Sequence, residues 1–166
     1  HAHLGATDID EIFSKLRYMI VGCECDWVIV DHLHMLVNQL TETDERRGID
    51  NLMNRLRSLV EETGVGMFLV THLRRAAGEK GHERGIEVSL SHLRGSQGIS
   101  QLSDCVIALE RNQQAEDEQE ANTTLVRVLK SRYTGDTGRA CSLLYNTDTG
   151  RMSEVTEEET LEGLPF

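Results

Sequence analysis

Residues 27–31 read Trp-Val-Ile-Val-Asp, an apolar run rich in β-branched residues that stops on a carboxylate. Such a run is consistent with a strand buried on both faces, as in a parallel sheet. A second run, Gly-Met-Phe-Leu-Val-Thr at 66–71, has the same character. Between them Ile49, Leu52, Met53, Leu56, Leu59 and Val60 fall at helical spacing, and Gly64 stands where a helix C-cap is expected. Strand, helix, strand in that order predicts a right-handed βαβ unit. Open parallel sheets build their sites at the carboxyl ends of the strands, and Asp31 falls at such an end.

The pattern extends in both directions. Ile9, Ile12, Phe13, Leu16, Met19 and Ile20 predict a helix over 8–21, with Thr7 or Asp8 as its cap. A polar stretch over 38–44 leads into the helix after Asp31. Over 73–94 periodicity lapses, and Arg74, Arg75, Lys80, Arg84 and Arg94 are interleaved with Gly78, Gly81 and Gly85. A loop of this length inside a compact domain is usually functional or disordered. Its basic residues outnumber its acids, although a merely solvated loop is the plain alternative. A short helical turn is expected over 96–103 and a third buried strand over 105–110. An acidic loop over 113–122 leads to a partly exposed strand over 123–130. Gly135, Asp136 and Gly138 mark a turn before a strand over 141–145. From Ser153 onward the chain is Glu-rich without a helical stripe, so residues 1–152 are read as domain and 153–166 as a flexible acidic tail.

A chain of 166 residues suits one domain, and 39% hydrophobic with 27% charged residues places it in the soluble globular class. No apolar stretch approaches a membrane span and no signal-peptide pattern opens the chain, so a cytosol-like setting is expected rather than secretion. Cys23, Cys25, Cys105 and Cys141 lack paired zinc-site spacing and read as reduced, mostly buried thiols. The net charge of −11 argues against a generic nucleic-acid coat, so any such contact must come from a local basic loop. The opening histidine points to a piece of something longer or a processed product.

Three features fall at strand ends of one expected sheet: Asp31, then Thr71 with His72, then Glu110 with Arg111. Lys130 and Arg132 close an adjacent strand. Phosphoryl transfer needs such a set: an acid to anchor magnesium, an imidazole to sense a terminal phosphate, and cations for charge developing in the transition state. Each also has a plain structural reading, as a strand-end cap or a solvated strand end.

These residues lie within runs that carry a resemblance. Asp-His-Leu at 31–33, Val-Thr-His-Leu at 70–73, Leu-Arg-Gly-Ser at 93–96 and Gln-Leu-Ser-Asp at 101–104 come first. Ala-Leu-Glu-Arg-Asn-Gln-Gln at 108–114 and Leu-Lys-Ser-Arg-Tyr-Thr-Gly-Asp-Thr-Gly at 129–138 follow. Over residues 8–152 the chain resembles the carboxyl-terminal half of the ring-forming replicative helicase domain of short-tailed phage primase–helicases. DnaB-like bacterial helicases and mitochondrial Twinkle are more distant relatives. The resemblance implies an α/β, RecA-like fold, with a mostly parallel sheet flanked by helices and antiparallel strands at the carboxyl end.

It also implies roles, residue by residue. Asp31 matches the Walker B aspartate, holding magnesium through water, and His72 matches the phosphate sensor that couples nucleotide state to the DNA loop. Arg74, Arg75, Lys80, Arg94 and Gly95 belong to the segment facing a central channel that holds single-stranded DNA. Arg111 and Tyr145 match a pair that sandwiches the nucleotide base. Arg132 matches the arginine finger and Lys130 its neighbour, both acting on the next subunit of a homo-oligomeric, hexameric ring. Adenosine or deoxythymidine triphosphate is the implied substrate. The resembled phage helicases end in an acidic, aromatic-tipped tail that docks on the replicative DNA polymerase, a role that Phe166 would fill here.

The departures are as specific. No Gly-x-x-x-x-Gly-Lys-Ser/Thr occurs, so the phosphate-cradling loop, with its strand and helix, is missing, as is the water-activating carboxylate. The domain is therefore read as partial, and the 166 residues as inactive alone. Ser100 stands where the nearest relatives carry a base. Two rival readings stand beside this one. His32 and His34 flank Leu33 after Asp31, and with His1 and His3 they suggest a His-x-His metal-dependent hydrolase. The missing phosphate loop suggests a non-catalytic module for single-stranded DNA or a replication partner.

Overall fold

The computed structural model describes residues 9–37, 42–74, 86–94 and 97–155, with the side chains of 42–44 excepted. The chain divides into two compact units. One comprises residues 1–74 with 93–102, the other 75–92 with 103–166.

In the first unit, helix α1 (Ile9–Arg17) continues into a π-helical turn over Tyr18–Gly22. Its acids Asp10 and Glu11 lie in the first turn and Lys15 and Arg17 in the last, which complements the helix dipole. Strand β1 (Trp27–Val30) pairs in parallel with β2 (Gly66–Leu69), and α2 (Glu42–Thr63) connects them. The stripe of α2 is the centre of the core, with Ile49, Leu52, Met53, Leu56 and Leu59 all buried against Ile12, Phe13, Leu16, Val28, Val30 and Leu33. The helix stops at Gly64, whose φ of +72° suits a residue without a Cβ and whose N–H reaches the Val60 carbonyl at 2.8 Å. Helix α3 (Gln97–Leu102) packs on α2 and buries Ile99. The cap expected at Thr7 or Asp8 lies outside the described residues.

In the second unit, β3 (Cys105–Arg111), β4 (Thr123–Ser131), β5 (Gly138–Asn146) and β6 (Arg151–Val155) form one antiparallel sheet in that order. Helix α4 (Glu118–Asn122) lies within the acidic connection, and its Asp117 cap accepts the Glu120 N–H at 2.7 Å. The Gly135–Gly138 turn stands where expected, with both glycines at positive φ.

Four expectations need correction. The strand at 105–110 does not join β1 and β2 in one sheet among the described residues; it is the edge of the antiparallel sheet. Nor are β1 and β3 buried on both faces: β1 alternates, with Trp27 65% and Ile29 70% exposed, as do Ile107 and Leu109 of β3. The described residues supply a cover for one face of each strand, and an apolar run reads alike whether or not its second face is covered. Residues 153–155 of the supposed tail are strand, because Ser153, Glu154 and Val155 pair with Leu144, Leu143 and Ser142; 156–166 lie outside the described residues. The cysteines are free, but none is buried; Cys23 and Cys105 are exposed.

One buried ion pair organises the second unit. Arg127 reaches Glu87 at 2.6 Å and Glu110 at 3.3 Å, and Glu110 also accepts the Val88 N–H at 2.7 Å. Glu110 is thus a structural clamp at a strand end. Removing it leaves the Val88 amide without its acceptor and Arg127 with only the exposed Glu87, so Glu110→Ala should cost about 3 kcal/mol in urea unfolding. A loss below about 1 kcal/mol, the range of exposed pairs, would make the clamp a surface contact.

Candidate functional site

Asp31 lies exposed where β1 ends, and the chain then turns into a 3₁₀ segment over Leu33–Leu36. The Leu33 N–H bonds the Val70 carbonyl at 2.9 Å, which fastens the turn after Asp31 to the end of β2. Two residues beyond Val70 stands His72, exposed, with its ring edge-on to His32 at a centroid separation of 4.1 Å. Asp31 and His72 therefore belong to adjacent strand ends. The βα-type crossover through α2 produces this, because it returns the chain parallel to β1 and brings both carboxyl ends to one edge.

The same edge holds the end of the basic segment. Leu73 bridges Leu93, and the Arg94 N–H reaches the His72 carbonyl at 3.0 Å. The Arg94 guanidinium stands 3.3 Å from Glu45, an ion pair that a phosphate would have to displace or share. His34 is buried, 1% exposed, and its Nε2 donates to the Arg94 carbonyl at 3.1 Å. Burial holds its pKa below the usual histidine value, against the opposing effect of the bond to Arg94. Arg74 is exposed on the way into the segment, whereas Arg75, Lys80, Arg84 and Gly95 lie outside the described residues.

In the second unit, β3–β4–β5 register decides the placement of Arg111 and Tyr145. Arg111 pairs with Thr124, and Thr124 with Leu143, so Tyr145, two residues on, shares the face and the sheet end of Arg111. The Arg111 guanidinium is held by the carbonyl of Ala121 and by Asn122 Oδ1 at the end of α4. At the other end of β4, Lys130 donates to the Ser103 carbonyl at 2.8 Å. Arg132 pairs with Asp104 at 3.1 Å and donates its own N–H to the Asp104 carbonyl at 2.8 Å. Ser100 turns its hydroxyl onto the Gln97 carbonyl within α3.

The structure thus joins Asp31, His72 and Arg94 at one edge, and groups Arg111 with Tyr145 and Lys130 with Arg132 at opposite ends of the second sheet. Sequence reasoning missed His34 as a tie to Arg94, a pair 60 residues apart that no local signal announces. A hard dication carried mainly by phosphate and water oxygens needs only one or two protein carboxylates, and Asp31 suits that role. A protein-built metal cage is another matter: among the described residues no group of three or more His, Cys, Asp or Glu is placed to hold a metal ion. His1 and His3 lie outside the described residues.

The comparisons with known proteins bear on this arrangement. A model of the DnaB-like helicase C-terminal domain matches residues 3–154. The chain belongs to that family. The DNA helicase/primase of Enterobacteria phage T3 is 45% identical over 143 residues, which are 86% of this chain and 25% of the phage protein. A "probable plasmid replicative DNA helicase" of Chlamydia psittaci is 22% identical over 148 residues, 89% of this chain and 31% of that protein. The chain therefore spans about a quarter to a third of these relatives.

Among solved structures, a DnaB-like replicative helicase, studied with its interactions with primase, superposes with a TM-score of 0.68 at 21% identity. The match covers 90% of this chain and 35% of that one. A KaiC-like protein of Pyrococcus horikoshii superposes at 0.61 with 15% identity, over 90% of this chain and 57% of that one. At these identities the likeness is one of fold, and the RecA-like, DnaB-type architecture is the fold of this chain. Among the described residues no helix is long and apolar enough to cross a membrane.

Proposed function

We propose that this DnaB-like domain is the carboxyl-terminal half of the nucleotide-hydrolysing motor of a ring-shaped replicative helicase. Hydrolysis of adenosine or deoxythymidine triphosphate drives translocation along single-stranded DNA and unwinding of duplex at the fork. Polypeptide outside these 166 residues supplies the phosphate-cradling loop and the carboxylate that activates water. Magnesium, when bound, neutralises charge on the phosphates. Asp31 holds the ion's water shell and His72 faces the terminal phosphate. Arg111 and Tyr145 enclose the base, while Arg132 and Lys130 act on the nucleotide of the next subunit of a hexamer. In the full-length protein the acidic segment with Phe166 docks on the replicative DNA polymerase; residues 156–166 lie outside the described residues.

The observation that supports this reading most directly is the linked edge of the first unit. A carboxylate, an imidazole and the end of a basic segment are joined there by backbone bonds, Leu33 to Val70 and Arg94 to His72. A motor needs that linkage, because strand binding must alter the geometry at the phosphates. The test is hydrolysis by the full-length protein with and without single-stranded DNA, alongside unwinding of a forked duplex. Stimulated hydrolysis with unwinding is expected. Strand binding without any hydrolysis would favour the non-catalytic module, the reading that the missing phosphate loop supports.

Charge gives a second check. Neutralising Arg74, Lys80 and Arg94 together should weaken strand binding and reduce the salt slope of log K by roughly 2, at about 0.7 per phosphate contact. Hydrolysis without DNA should survive. An unchanged slope returns the segment to a solvated loop.

A further inference from the structure

His34 is an unusual side chain for its place. It sits in the turn three residues after Asp31 and is as buried as its neighbour Leu33. An imidazole there loses its water, so the bonds it makes must explain what it does. One nitrogen has a partner: Nε2 lies 3.1 Å from the Arg94 carbonyl. A carbonyl only accepts, so Nε2 carries the hydrogen, and Nδ1 is left as a lone pair with no hydrogen-bond partner among the described residues. The ring is faced by the Arg94 guanidinium, Glu45 and the His72 ring at 5.6 Å, with the His32 ring at 6.2 Å. Its low pKa keeps the ring neutral near pH 7 and preserves this one-donor form.

The consequence lies at Arg94. Its N–H is bonded to His72 and its carbonyl to His34, so the peptide units on both sides of one residue are pinned to the Asp31 edge. Remove the His34 bond and the Leu73–Leu93 bridge still closes the segment. What is lost is the direct tie between the segment's exit and the turn that follows Asp31.

We propose that His34 is a positioning residue, holding Arg94 in register with the Asp31 turn so that strand contact and nucleotide hydrolysis are coupled. The inference rests on the helicase reading and deepens it. His34 touches neither nucleotide nor DNA; it acts through the Arg94 backbone.

The test uses the full-length protein and two substitutions. His34→Leu removes the bond and fills the same apolar space. His34→Gln keeps an N–H donor near the position of Nε2. The expected result is that His34→Leu stays folded, with DNA-independent hydrolysis and nucleotide KM within twofold of wild type. It should lower the stimulation of hydrolysis by single-stranded DNA about tenfold, the scale of one buried hydrogen bond. His34→Gln should restore most of that stimulation.

Wild-type stimulation in His34→Leu would overturn the proposal, and so would equal loss in both variants, since the bond would then be irrelevant. Stability and DNA-independent hydrolysis falling together with stimulation in His34→Leu would mark a structural role and also overturn it. A wild-type protein that shows no stimulation at all removes the helicase reading itself, and this inference with it.

Discussion

Asp31→Asn in the full-length protein should abolish nucleotide hydrolysis while the fold persists. The two side chains are nearly isosteric, and Asp31 is exposed at the end of β1, so no core contact depends on its charge. The Leu33 to Val70 bond that fastens the turn is made by backbone and survives the change. What disappears is the single negative charge that suits a magnesium ion carried mostly by phosphate and water oxygens. Turnover should fall on the order of a thousandfold or more, the scale of a lost charge stabiliser in phosphoryl transfer. Nucleotide binding without magnesium and the thermal midpoint should stay put. Near-normal turnover with an intact fold would mean that Asp31 merely ends a strand. Loss of turnover together with the thermal midpoint would assign it to the fold instead.

The residues of that edge differ in how legible they were. Asp31 could be read because a β-branched run that stops on a carboxylate is a local signal. The α2 stripe and Gly64 could be read for the same reason, since periodicity and a helix stop live within a few residues of each other. Strand-end position also brought in His72, Arg111 and Arg132, and the resemblance implied a role for each. Glu110 was named as a strand end and His34 as half of a His-x-His pair, but what either one bonds lay outside both kinds of signal. Each is fixed by a partner far along the chain, Arg94 in one case and Val88 and Arg127 in the other. Neither bond leaves a periodic trace.

Strand β6 was hidden differently. Its last three residues open the glutamate-rich stretch from Ser153 onward, which resembled a tail, and the turn before it was not read as a hairpin turn. There Asn146 accepts from Thr149, and Gly150 takes a φ of +67°. The second faces of β1 and β3 were misjudged because an apolar pattern records which surface avoids water, not whether the described residues contain its cover. Trp27 and Phe68 stack at 5.4 Å on that uncovered face, with Gly66 beneath the indole.

Arg132→Ala should lower hydrolysis about a thousandfold in a ring of identical subunits, as loss of an arginine finger does elsewhere. Within one chain Arg132 is paired with Asp104, through an exposed side chain. The guanidinium is 41% exposed, so it can turn toward another subunit by giving up the Asp104 pair. The decisive experiment mixes two inactive proteins. Arg132→Ala subunits keep Asp31 but lack the finger, and Asp31→Asn subunits keep the finger but lack the carboxylate. If the finger acts across an interface, some interfaces in a mixed ring join an intact Asp31 site to an intact Arg132. Hydrolysis should then reappear on mixing, in proportion to those interfaces. If Arg132 acts within its own subunit, every site in every mixture lacks one of the two groups and activity stays at background. Failure of the mixture to regain activity, with mixed rings shown to form, would therefore reject the trans role. It would confine Arg132 to its own chain, where it pairs with Asp104.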